Sequence, residues 1–124
     1  MSLLQSKKDI EQLFYDNWTE TDIHWSGMNF DIENRDEWIR LQYKPRHIDN
    51  NGLSYDGKYS GVIQMAVFAK NELRSLELAD IAISLFRGKK VGSNYTMNTL
   101  IKGNGQTQDL MYHYVDIEIN ISTL

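Results

Sequence analysis

A chain of 124 residues has room for one domain and little more. Its 41% hydrophobic content is enough for a real core and argues against wholesale disorder. The net charge of −4 argues against general nucleic-acid binding, which needs a basic surface, and the absence of Cys excludes disulfides, thiolate metal sites and Cys nucleophiles.

Residues 2–18 predict a helix. Ser2 and Gln5 have capping-box spacing. Ile10, Leu13, Phe14 and Trp18 recur at helical intervals, so this stripe is assigned to core packing. Residues 19–36 show no clean period, although Thr21–Trp25 can form a short strand. Residues 37–47 predict a strand with Ile39, Leu41 and Tyr43 on one face. Pro45 belongs at a strand end or edge, because it cannot donate to a ladder. The turn-rich stretch 48–58, with Asp49-Asn50-Asn51-Gly52 and Asp56-Gly57, predicts a mobile loop between antiparallel strands.

Residues 59–69 alternate with both faces largely apolar, which predicts a central strand. Gly61 within it signals a bulge or a close approach by another backbone. Residues 71–87 predict the second helix, capped by Asn71 and stopped by Gly88. Its apolar rows are Leu76, Ala79, Ile83 and Phe86, with Leu78, Ala82 and Leu85 beside them. Residues 94–102 predict a strand, Gly103-Asn104-Gly105 a turn, and residues up to about Ile121 a last strand with a wet face of Asp116, Glu118 and Asn120. The expected fold is α+β over residues 1–124 as one domain, an antiparallel sheet with two helices packed on it in the order α-β-β-α-β-β.

Charge is uneven along the chain. Residues 1–38 hold three Lys/Arg and nine Asp/Glu, while residues 39–124 hold ten and eight. An ordinary solvated surface is the plainer reading of this pattern, and stacking or ring formation between copies the alternative. No apolar run approaches the ~18 residues of a membrane span. The N-terminus lacks the apolar stretch of a signal peptide. The expectation is a soluble protein, made in the cytoplasm.

Motifs of chemistry are missing. His24, His47 and His113 are isolated in sequence, so no metal site is assigned. Gly88-Lys89-Lys90 and Gly103-Asn104-Gly105 lack phosphate-loop spacing and context. The acidic stretch 31–37 lacks the turning glycine and closing Glu of a calcium loop. No catalytic residue, cofactor or metal ligand is assigned, and the chain is read as a non-enzyme.

One ordered set of pieces goes beyond composition. It comprises Thr21-Asp22-Ile23-His24-Trp25, Asn29-Phe30, Trp38-Ile39-Arg40-Leu41, Tyr59 through Phe68, and Leu76-Glu77-Leu78-Ala79-Asp80 with Leu85-Phe86-Arg87-Gly88. Over residues 20–88 this order resembles the tail-terminator and minor-tail-protein family of long-tailed phages and prophages. The Asn/Asp-rich loop 49–57 has no counterpart in the shared pattern. The resemblance implies a structural virion protein that forms a homo-oligomeric ring of six copies. The ring would sit on the head-proximal end of the tail tube, stop tube polymerisation and present a surface to head–neck completion proteins. The partners implied are further copies of the chain, the tail tube protein and a head–neck protein, with no nucleic-acid specificity and no membrane. The protein would reside in the virion tail, and in the host cytoplasm during assembly.

Six residues are singled out as assembly-interface candidates. Trp25, Met28 and Phe30 lie on an apolar loop that a small core does not obviously need, with core anchoring as the plain alternative. Asn50, Asn51 and Asp56 lie at the hairpin tip, with simple solvent exposure as theirs. A neck or head–tail joining component, and a small-molecule-binding domain, stay open as competing readings.

Overall fold

The computed structural model describes residues 3–49 and 58–123. The order is α1 (Leu3–Asn17), β1 (Asp22–Trp25), β2 (Trp38–Asp49), β3 (Lys58–Ala69), α2 (Glu72–Phe86), β4 (Lys90–Val91), β5 (Asn94–Gln106) and β6 (His113–Thr123). The six strands form one sheet in the order β1-β2-β3-β6-β5-β4. The class is α+β, with one correction to the expected layout: the sheet is mixed and the order is α-β-β-β-α-β-β-β.

Two short strands make that difference. β1 pairs parallel to β2, from Asp22 opposite Trp38 to Trp25 opposite Leu41. The strand itself falls where the sequence places one, at Thr21–Trp25, and the parallel pairing is what differs. A parallel pair needs a long crossover, and residues 26–37 supply it without a helix. β4 is the first arm of a tight hairpin in which Val91 faces Asn94. Gly92, at φ 62, is the first of its two turn residues, where a type II′ hairpin requires positive φ.

The central strands follow their sequence signals. β3 lies between β2 and β6 in the sheet. Gly61 fits both of its expected roles. A Cβ there would lie 2.7 Å from the Lys44 carbonyl oxygen, and the β2–β3 register shifts between Pro45 and His47 beside it. Pro45 sits in the half of β2 that, among the described residues, has no strand on its outer side, since β1 pairs as far as Leu41. The predicted turn at Gly103-Asn104-Gly105 is a correction. These residues continue β5, with Gly103 opposite Asp116 and Gly105 opposite Tyr114. A bulge between Ile101 and Gly103 absorbs the glycine-rich stretch, and β6 supplies the pairing. The chain reverses at 107–112 instead. There the Asp109 carboxylate accepts from Thr107 Oγ1 and, at 3.0 Å, from the Met111 amide. These bonds hold the Asp109 carboxyl below its ordinary range, the Thr107 hydroxyl contributing most.

Both helices lie on one face of the sheet. α1 buries Ile10 and Phe14, and Trp18 just beyond it is buried too. Ser2 of the expected capping box lies outside the described residues. α2 is capped by the Asn71 side chain, which accepts from the Arg74 amide at 2.8 Å. Gly88 follows its C-cap at φ 67, in the left-handed conformation that ends helices. The buried stripe of α2 is Ser75, Leu78, Ala79, Ala82 and Phe86. Leu76, expected inside, is 40% exposed, because the face that meets β3 and β6 is turned by about one position from the predicted row.

The core joins these helices to Ile39, Leu41, Ile63, Met65, Val67, Val115, Ile117, Ile119 and Ile121. Phe14 is its aromatic centre, with ring centroids 5.2 Å from Trp18, 6.5 Å from Trp25 and 5.9 Å from Phe86. The sheet curls around α1. Ser6 bonds Tyr43 on β2 and accepts from Asn94 on β5 at 3.2 Å, although two strands separate β2 from β5. Burial raises the Tyr43 phenol pKa, and the Ser6 bond partly offsets it.

Candidate functional site

The crossover 26–37 carries three apolar groups that the sequence singles out, and the structure separates them. Trp25, at the end of β1, is half-buried and meets Phe14 edge-on, so it anchors the core. Phe30 reaches the opposite face of the sheet. Its ring stacks on His24 at 5.0 Å, lies 6.2 Å from Trp38, and receives the Arg35 guanidinium at 4.2 Å. Trp38 in turn stacks on Phe68 at 4.7 Å and meets Tyr112 edge-on at 4.8 Å. The Tyr112 hydroxyl donates to the Arg35 carbonyl at 2.9 Å, which ties the crossover to the β5–β6 turn. Aromatic pairs of this kind contribute about 0.5–1.5 kcal/mol each beyond burial, so the stack pins a segment with no regular structure of its own. Met28 alone of the three is exposed, at 63%. With Trp25 and Tyr15 it lines a shallow groove of about 540 Å³ beside Lys7, Lys8 and Glu11 on α1. Asn50, Asn51 and Asp56 lie outside the described residues.

Arg74 is a second tie to this region. Its guanidinium donates to both oxygens of Glu37, at 2.9 and 3.0 Å, to Glu77 at 2.6 Å and to Glu20 at 3.4 Å. The forked bond to Glu37 is the main cause that raises its pKa above the ordinary arginine value. One α2 cation thus holds both ends of the acidic 20–37 segment.

Beyond the aromatic stack, the face of the sheet away from the helices carries a polar patch. Glu118 on β6 is the expected wet residue that turns out buried, at 8% exposure. Arg46 Nη2 lies 3.3 Å from its carboxylate and Lys102 Nζ 4.0 Å, and these two cations offset its desolvation. A cleft here, lined by Arg40, Gln42, Gln64, Lys102, Asp116 and Glu118, holds about 190 Å³. Small-molecule sites usually exceed about 300 Å³, so this one is small for an organic substrate. The histidines stand on separate strands, His24 on β1, His47 on β2 and His113 on β6. Among the described residues no three His, Cys, Asp or Glu side chains gather as a metal site, and no helix is long and apolar enough to cross a membrane.

The most unusual surface is one that strand prediction passes over. β4 pairs with Asn94 and Tyr95, so residues 97–106 of β5 have, among the described residues, a strand neighbour on one side only. Along this edge Met97 is 66% exposed, Ile101 54% and Leu100 42%. Leu100 faces Glu118 across the ladder and Ile101 faces Ile117, so the apolar groups emerge on both sides of the edge. A signal is present in the sequence. Residues 87–108 contain Arg87, Lys89, Lys90 and Lys102 and no acidic residue, with an apolar cluster among them. No protein family and no curated protein matches the chain.

Proposed function

We propose that this chain is a structural virion protein that forms a ring, of six copies by analogy with the family it resembles. The ring sits at the head-proximal end of a phage tail tube, ends tube polymerisation and offers the surface on which head–neck proteins dock. The observation that carries this reading is the exposed apolar edge of β5, flanked by cations. An unpaired strand bearing large apolar groups is suited to another protein surface and poorly suited to a small molecule. The ordered resemblance over residues 20–88 supplies the particular assembly. Its partners are then further copies of itself, the tail tube protein and a head–neck completion protein, and its place is the virion tail.

The test is genetic. Deleting the gene from the phage or prophage that carries it should give tails of uncontrolled length, seen by electron microscopy. Tails of normal length that fail to join heads would instead assign the chain to the neck.

A further inference from the structure

We infer that the β4–β5 edge of one copy docks head to tail on the acidic β1 edge of a second copy. This rests on the ring reading and names the surfaces that would close it.

β1 and β4 occupy the two ends of the six-stranded sheet, so the two edges share no residue. A contact between two different patches of one chain is heterologous, and it closes into a ring when its rotation closes. The two edges also differ in charge. Residues 20–37, which flank and include β1, hold six acids; Arg74 pairs with Glu20 and Glu37 and Arg35 with Asp22, which leaves Asp31, Glu33 and Asp36 as the negative charges turned to a partner. Residues 87–108 hold four cations and no acid. Asp31, Glu33 and Asp36 are exposed, as are Arg87, Lys89 and Lys90.

Each edge has an apolar centre to match. Met97, Leu100 and Ile101 are exposed on the basic side, and Ile32 at 43% among the acids, with Met28 at 63% nearby in the groove that Lys7, Lys8 and Glu11 also line. An apolar middle with a charged rim is the usual anatomy of a protein interface. The other free edge, the second half of β2, is guarded. It carries Lys44, Pro45 and Arg46 and a bulge, all devices that discourage strand addition. β5 from 97 to 106 has Lys102 as its only charge and no proline. Antiparallel pairing of β5 with β5 of a second copy, centred on the open stretch 97–106, would set Lys102 near its own equivalent, and like charges oppose such a contact. The acidic edge removes that repulsion.

A charge swap tests this directly. One protein carries Lys89→Glu and Lys90→Glu, the other Asp31→Lys and Glu33→Lys. Each alone should self-associate at least about tenfold more weakly than the unaltered chain by sedimentation velocity at low salt. An equimolar mixture should recover assembly, because every contact in an alternating ring is again between opposite charges. All four positions are exposed, and circular dichroism checks that both variants fold. As a second probe, the chain has no Cys. Met97→Cys and Ile32→Cys proteins should form a disulfide-linked dimer under mild oxidation only when mixed. Efficient linking of Met97→Cys with itself overturns the head-to-tail pairing. If the unaltered chain assembles but the swapped mixture does not recover, this interface falls and the ring reading stands. An unaltered chain that stays monomeric overturns both.

Discussion

Gly61 shows how one residue can hold two strands in register. Any side chain there meets the Lys44 carbonyl at 2.7 Å and Tyr43 at 3.0 Å, in the bulged part of β2. Gly61→Ala should therefore cost about 1–3 kcal/mol, typical of forced overpacking. Urea unfolding measures it, and an unchanged midpoint would contradict the close approach. Arg74 acts at longer range. Its bonds to Glu37, Glu20 and Glu77 join α2 to the crossover, and truncation to Ala should cost about 1–2 kcal/mol. The loss should appear locally, as faster amide exchange in residues 20–37. Asp109 gives a pH signature. Its carboxyl is depressed in the folded chain by the Thr107 hydroxyl, so its contribution is present above the ordinary aspartate range and disappears as pH falls through the lower folded value. Asp109→Asn should remove that acid-limb component while leaving stability above neutral pH little altered in its pH slope.

At the scale of elements, the parts carried by periodicity were legible in the sequence, and the parts carried by pairing were not. Both helices, the caps at Asn71 and Gly88, and the central position of β3 follow from local patterns of residues. β1 matches the short strand expected at Thr21–Trp25, but its parallel pairing is not legible, and β4, two residues long, shows no period. The Gly103–Gly105 stretch looks like a turn by composition, yet the β6 ladder overrides that preference. The site shows the same divide. Trp25, Met28 and Phe30 look alike in sequence, and only tertiary packing sends one to the core, one to the aromatic stack and one to solvent. The buried Glu118 could not be read, because its cations come from β2 and β5. The crossover gives an element-scale prediction. Trp38 contacts Phe30, Phe68 and Tyr112, and Trp38→Ala should cost about 3–5 kcal/mol and release residues 26–37 to proteolysis. Resistance of that segment in the variant would show that the stack does not hold it.

The whole molecule combines a core on the helix side with two dissimilar edges. Its helix-facing side is closed by Phe14, Phe86 and the β-branched rows of β3 and β6. Its opposite side divides between the aromatic stack at Trp38 and a polar patch in which Arg46 and Lys102 neutralise Glu118. What remains for a partner is the apolar, cation-flanked β5 edge and the acidic crossover edge. Association through these surfaces should weaken with salt, since exposed charges beyond about 10 Å are screened at 0.1 M. The central claim is that copies of this chain close into a ring. Mass measurement by light scattering on the pure protein at rising concentration, with micrographs of the same sample, tests it most directly. A single discrete oligomer with a central hole is the expected result. A protein that stays monomeric at the highest concentration, and that leaves the ends of tail tubes uncapped, would contradict it.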